Sequence, residues 1–238
     1  PSELLTLAEG QSEESLAEQK FALSVMKRTI DRYTGLFETF TKCKLIHGAP
    51  GCGKSFLGSI AMFYAISQGL RVIPTAVMAA RATGLGGIHT AVLMGWGVPK
   101  SSARPYSVAE ASLQTIMRDP IRKHLLLTAD VIFFDEAAQE SADRLATADI
   151  ILRYLRKSQT PFGGVLILGS MDHAQIQPIK AMPFLLSSLV ITTMDMIELR
   201  HSVRASSDPD FQRFQKILRM NPYTLAASSE LKEEFMAL

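Results

Sequence analysis

Little in this sequence points toward a membrane or an oxidising environment. Two cysteines in 238 residues, Cys43 and Cys52, are too few for a disulfide framework and imply a reducing compartment. No stretch approaches eighteen consecutive apolar residues, so no membrane-spanning helix is expected. The first twenty residues are polar and acidic, unlike a signal peptide. Charge of one sign is also missing. At a net +2, any nucleic-acid partner would have to be held by a local groove rather than by the field of the whole protein. The five histidines lack the spacing to cysteines or carboxylates that zinc requires. There is no internal repeat and no low-complexity tract. The chain opens on Pro1 rather than Met, as expected of a segment taken from a longer polypeptide.

What the chain does contain is apolar sequence in short, regular packets. Apolar residues make up 47% and charged residues 20%, enough at this length to bury a sizeable core. Residues 12–33 are expected to form a helix capped by Ser12, with Leu16, Phe21, Leu23, Val25, Met26 and Ile30 broadly on one face. A short strand at Leu45-Ile46 stops at Gly48. Apolar spacing from Phe56 to Tyr64 predicts a helix over 54–68, ended by Gly69. Val72-Ile73 begins a second strand, which Pro74 is expected to limit or make irregular. Residues 84–106, rich in Gly, Pro and Ser, read as an extended surface loop. Val131–Phe134 has the pattern of a strand buried on both faces. Gly164–Leu168 repeats it, Met194–Leu199 does so more weakly, and 141–157 reads as helix. Strands alternating with helices predict an α/β fold with a largely parallel sheet.

Chemistry concentrates at Gly48-Ala49-Pro50-Gly51-Cys52-Gly53-Lys54-Ser55, which fits the phosphate-loop pattern G-x-x-x-x-G-K-[ST] at every position. The segment leaves an expected strand and enters an expected helix, the context the motif needs. Small residues let backbone N–H groups curl around a phosphate, and the helix N-terminus adds its positive end. Lys54 is placed to reach the β- and γ-phosphates of ATP, and the Ser55 hydroxyl to ligate Mg2+. Asp135-Glu136 directly follows the apolar run Val131–Phe134. In P-loop enzymes an aspartate here holds magnesium through water and the next glutamate can polarise the attacking water. Cys52 occupies a variable position of the loop and needs no redox role. Trp96 and Tyr106 either stack on bases or anchor their loop to the core.

Further motifs follow in a fixed order: Leu16-Ala17-Glu18-Gln19-Lys20, Thr75-Ala76, Gly86-Gly87-Ile88-His89-Thr90, Pro161-Phe162-Gly163-Gly164, Asp172-His173-Ala174-Gln175-Ile176-Gln177-Pro178-Ile179, and Val203-Arg204 ahead of Asp208-Pro209-Asp210-Phe211. In this order, from about residue 12 to about residue 221, the chain resembles the PIF-type and Helitron-type DNA helicases of superfamily 1. The resemblance implies a RecA-like P-loop NTPase, a three-layer α/β/α fold with a mainly parallel sheet. It divides the chain into a helical segment over 1–35, the ATPase domain over 36–200, and over 201–238 the start of a connection to a second motor domain.

It also implies roles. Gln19 would read the adenine edge, Gln175 would sense the γ-phosphate, and Arg204, with Arg200 as competitor, would reach a nucleotide phosphate. Thr75, His89 and Thr90 would line a path for single-stranded DNA, holding phosphates without reading sequence. The chain departs from the pattern at Val77-Met78-Ala79-Ala80, where the family often has a Ser-Ser-Gly run. Met171 stands in place of glycine, Gln177 in place of a frequent proline, and Ala205 in place of the glutamine after the arginine. The implied activity is a 5′-to-3′ helicase motor in an intracellular, DNA-containing compartment, working with a second RecA-like domain that this chain lacks. An AAA-type ATPase loader and a nucleotide-gated module without catalysis are the alternatives.

Overall fold

Parallel strands buried on both faces must carry helices on both sides, and the chain supplies them. The computed structural model describes residues 5–6, 11–35, 42–97, 104–172, 174, 178, 181–203 and 208–219. Its strands are β1 (Cys43–Gly48), β2 (Val72–Ala76), β3 (Ile88–His89), β4 (Val131–Asp135), β5 (Leu166–Met171) and β6 (Met194–Leu199). They form one six-stranded sheet in the order β3-β2-β4-β5-β1-β6, and every pair is parallel. The helices are α1 (Glu13–Gly35), α2 (Lys54–Ser67), α3 (Ala79–Gly84), α4 (Thr90–Leu93), α5 (Pro105–Met117), α6 (Pro120–Thr128), α7 (Ala142–Arg156), α8 (Ser188–Thr193) and α9 (Pro209–Leu218). This is the RecA-like α/β/α P-loop architecture.

Alternation along the strands divides the core in two. Ile46, Val131, Phe133, Leu166 and Leu168 face one side, packed by Ala22, Leu23, Met26 and Ile30 of α1 and by Leu57, Ile60 and Ala61 of α2. Leu45, Ile132, Phe134 and Ile167 face the other, against Ala109 and Ile116 of α5 and Leu145, Ala148 and Leu152 of α7. Ser12 caps α1 as expected, accepting from the Ser15 N–H at 3.1 Å. Phe21 of the expected apolar face is instead 61% exposed.

Close packing on the first side depends on Gly58. A Cβ there would sit 2.2 Å from Cζ of the buried Phe133 ring. We expect Gly58→Ala to destabilise the fold by roughly 1–3 kcal/mol through overpacking, despite alanine's better helix propensity. Chemical denaturation checks this, and an unchanged midpoint would contradict it.

Three expectations need correcting. Pro74 does not limit β2, which runs through it to Ala76. Its carbonyl lies where a Cβ on Gly87 would be, 2.2 Å away, so Pro74 faces the β3 side, where pairing begins only at Thr75. Its missing N–H therefore interrupts no ladder bond. The stretch 84–106 is not one extended loop. It contains β3 and α4 and enters α5 at Pro105, with residues 98–103 outside the described set. Elements of two and four residues are too short to leave a periodic signature. β5 begins later and ends later than Gly164–Leu168, because Pro161–Gly164 forms a tight turn with positive φ at Phe162, Gly163 and Gly164. That turn closes the amino-terminal end of β5. Phe162 N–H donates to Asp149 Oδ1 at 2.6 Å and Arg156 Nε donates to the Gly163 carbonyl at 2.8 Å. No described helix is long and apolar enough to cross a membrane.

Candidate nucleotide site

Parallel register brings the carboxyl ends of the central strands to one edge. Ala76 lies opposite Asp135, His47 opposite Met171 and Gly48 opposite Leu199. In an open parallel sheet this edge is where ligands bind. The P-loop residues Gly48, Ala49, Pro50, Gly51, Cys52 and Gly53 turn there from β1 into α2, whose first residue is Lys54. Gly53 is in the left-handed region at φ 84° and has Gln19 Nε2 2.6 Å from where a Cβ would lie. Only glycine meets both demands. Lys54 is buried, and its ammonium donates to the carbonyls of Gly48 (2.9 Å) and Ala49 (2.8 Å). Burial lowers its pKa, more than the nearby Asp172 raises it.

The carboxylates meet the loop as the motifs require. Ser55 Oγ donates to Asp135 Oδ1 at 3.1 Å, and Ser170 Oγ, from β5, donates to the same oxygen at 2.5 Å. Asp135 is 1% exposed, and its Oδ2 is buried without accepting a hydrogen bond from the described residues. A buried carboxylate oxygen left bare beside a serine hydroxyl fits a hard divalent cation, which takes oxygen ligands and keeps several waters. Magnesium, when bound, neutralises phosphate charge, and Ser55 and Asp135 are the residues that would hold it. Glu136 follows at φ 54°, a strained conformation of the kind found at functional sites. Its N–H donates to Ser170 Oγ at 3.1 Å. Its carboxylate accepts from Gln139 Nε2 at 2.5 Å and pairs with Arg81 at 2.7 Å.

Gln19 is not a solvated helix residue but 5% exposed. Its Nε2 donates to the Cys52 carbonyl at 3.1 Å, and its Oε1 accepts from Gln11 at 3.1 Å. Cys52 and Cys43 are both free and buried. Burial raises both thiols, that of Cys43 to about 12, so neither is a ready nucleophile. Arg200 pairs with Glu198, 2.8 Å distant. The backbone after it packs against the loop, with Val203 N–H donating to the Gly51 carbonyl at 2.9 Å. Gln175 and Arg204 lie outside the described residues.

Thr75, expected to touch DNA, has no exposed surface, and its hydroxyl donates to the Phe133 carbonyl at 3.1 Å. Thr90 is equally buried, its Oγ1 set against the Glu140 carboxyl outside strict hydrogen-bond geometry. His89 is half-buried, accepts from Ala91 N–H at Nδ1, and lines a cavity of about 580 Å³ with Trp96, Thr115 and Arg122. Trp96 anchors its loop to the core at 8% exposure, with the Arg144 guanidinium 4.5 Å over its ring. Tyr106 is 77% exposed.

Sequence reasoning missed Arg81, Gln139, Ser170 and Arg219. Arg219 pairs with Asp172, which is 2% exposed. Burial would raise Asp172, but the Arg219 hydrogen bonds outweigh it and hold the carboxyl below its ordinary range. Ser170 and Gln139 adjoin recognised motifs and could have been flagged by that adjacency. Arg219 stands 47 positions from its partner and leaves no local signal.

Glu140 was also missed. It is 7% exposed, and burial pushes its pKa from 4.5 to about 7, with Arg144 and Thr90 opposing. A carboxyl raised in the folded state favours folding while protonated, so that contribution is lost as pH rises from about 4.5 to about 7. Glu140→Gln should remove this slope, a gain at pH 8 relative to pH 5 of up to about 3 kcal/mol. Melting curves at the two pH values check it. Parallel pH profiles for variant and parent would contradict it.

The family model of PIF1-like helicases matches residues 18–219. An ATP-dependent DNA helicase Pif1 from Psychrobacter sp. (strain PRwf-1) is 25% identical over 132 residues, 56% of this chain and 19% of that relative. A Pif1 helicase structure from Candida albicans superposes with a TM-score of 0.71 at 20% identity, over 88% of this chain and 46% of that one. Bacteroides Pif1 bound to single-stranded DNA gives 0.63 at 21% identity, over 86% of this chain and 48% of that one. The chain thus spans less than half the length of these relatives. With the P-loop, the paired carboxylates and the parallel sheet already in place, the match over 18–219 settles its kinship: the chain belongs to the PIF1-like helicase family.

Proposed function

We propose that this chain is the leading motor domain of an ATP-dependent DNA helicase, translocating 5′ to 3′ on single-stranded DNA. The observation that carries the reading is the convergence of Lys54, Ser55, Asp135 and Glu136 at the carboxyl edge of the sheet. Backbone N–H groups of Ala49–Gly53 cradle the β-phosphate of ATP. Lys54 exchanges its two loop carbonyls for phosphate oxygens, Ser55 and Asp135 hold Mg2+, and Glu136 orients the attacking water. Gln19, fixed against the Cys52 carbonyl, reads the adenine edge, Gln175 senses the γ-phosphate, and Arg204, with Arg200 as competitor, reaches a nucleotide phosphate.

Single-stranded DNA crosses the β3–α4 segment. There His89 and neighbouring backbone amides meet phosphate, and buried Thr75 and Thr90 shape the segment from beneath. Residues 1–35 form the helical segment that bears Gln19, 36–200 the ATPase domain, and 201–238 the start of a connection to a second RecA-like domain. That domain would close over the nucleotide, since translocation needs a cleft that opens and shuts. The place of action is an intracellular compartment that holds DNA. ATP turnover with and without an oligothymidylate, in a polypeptide extended past residue 238, tests the reading. Stimulation by the strand supports a motor, and hydrolysis indifferent to it supports a loader or another ATPase.

A further inference from the structure

Arg81 is among the residues at the nucleotide site that no motif predicts. It projects from α3, with its side chain 49% exposed, and reaches both Asp135, the last residue of β4, and Glu136 after it. One guanidinium nitrogen lies 2.7 Å from Glu136 Oε1 and another 3.8 Å from Asp135 Oδ2. The second oxygen is the one that accepts no hydrogen bond from the described residues. Glu136's other oxygen is engaged by Gln139. The guanidinium therefore sits on the bare face of the carboxylates, where a cation is called for. A divalent ion on Asp135 would lie within a few ångströms of this fixed positive charge, and like charges so placed repel.

The helix that carries Arg81 is tied to the strand-facing segment. Leu85 and Gly86 cap α3, and Gly87 N–H donates to the Ala82 carbonyl at 2.8 Å. Gly87 is pressed against Pro74, and Ile88-His89 follow at once as β3. A shift of β3–α4 can reach α3 directly through this short turn.

We propose that Arg81 is a positioning residue that competes with magnesium for Asp135 and Glu136, and that a strand bound at β3–α4 draws it away. The inference rests on the site being a Mg2+–nucleotide site. Arg81 then acts as a brake: while it bridges the two acids, metal binds poorly and Glu136 is held off the attacking water. Its withdrawal admits metal and frees Glu136 together. Binding at one place alters affinity at the other, and the coupling must be reciprocal.

The test is a Mg2+ titration of the 238-residue chain with a fluorescent ADP analogue, reading equilibrium binding rather than turnover. Arg81→Ala and Arg81→Gln should lower the half-saturating Mg2+ roughly two- to fivefold, the scale of a partly exposed ion pair. Arg81→Lys should fall between them and the parent. Affinity for the analogue without Mg2+ should stay within about twofold, and circular dichroism melts should overlay. Adding oligothymidylate should lower half-saturating Mg2+ for the parent and leave Arg81→Ala unmoved. An unchanged or raised Mg2+ requirement in Arg81→Ala overturns the inference, as does a matching loss of Mg2+-free affinity. If neither the parent nor Arg81→Ala shows Mg2+-dependent nucleotide binding, the nucleotide reading itself fails. Parent binding identical to that of Arg81→Ala sinks only the role of Arg81.

Discussion

Lys54→Ala should raise the dissociation constant for ATP roughly 100- to 1,000-fold while leaving the fold intact. The ammonium is already desolvated, and its two partners are the carbonyls of Gly48 and Ala49. Phosphate oxygens are better acceptors for the same donors, because a charge-assisted bond is worth about 1.5–3 kcal/mol. Two of them account for the expected loss at 1.4 kcal/mol per tenfold. Burial lowers the pKa of Lys54, so holding it charged costs the empty protein some stability. Deleting the ammonium relieves that cost and leaves two carbonyls to bind water at the loop mouth. Thermal melting should therefore shift little while titration with a fluorescent nucleotide loses saturation. A variant that keeps its affinity would show that the loop holds phosphate by backbone alone.

Glu136→Gln should separate binding from chemistry. Turnover is expected to fall at least about 100-fold, the usual lower bound for removing a general base, with nucleotide affinity within about threefold of the parent. The substitution keeps the shape of the side chain and its hydrogen bond from Arg81, so the backbone at φ 54° is not further strained. Ser170 still anchors the Glu136 N–H and still donates to Asp135, which leaves the proposed metal ligands in place. Rapid-quench measurement of phosphate release checks it. Unaltered turnover would place the water-activating group elsewhere, and lost binding would mean that Glu136 holds the site together.

The parts legible in the sequence are those in which local pattern and global fold agree. Val131–Phe134 has the pattern of a strand buried on both faces, and Asp135-Glu136 stands at its carboxyl end. The P-loop was legible for the same reason, since its glycines answer to geometry within a few residues. Illegible parts depend on partners distant in sequence. Arg81 carries no motif in the sequence, and only when β2 and β4 pair is it brought to Glu136, 55 positions away. Thr75 reads as a hydroxyl free to meet a ligand, but the same pairing buries it on Phe133. Pro161–Gly164 is prominent in sequence, yet it closes the end of β5 away from the nucleotide edge. There it holds shape through Asp149 and Arg156.

The central claim is that the edge bearing Lys54 and Glu136 is coupled to single-stranded DNA. It is tested most directly by steady-state ATP hydrolysis titrated with an oligothymidylate, for a polypeptide extended past residue 238 and for its Lys54→Ala variant. A motor domain predicts turnover that rises severalfold and saturates with the strand, and that disappears in Lys54→Ala at every strand concentration. Hydrolysis that depends on Lys54 but stays flat across the titration would contradict it.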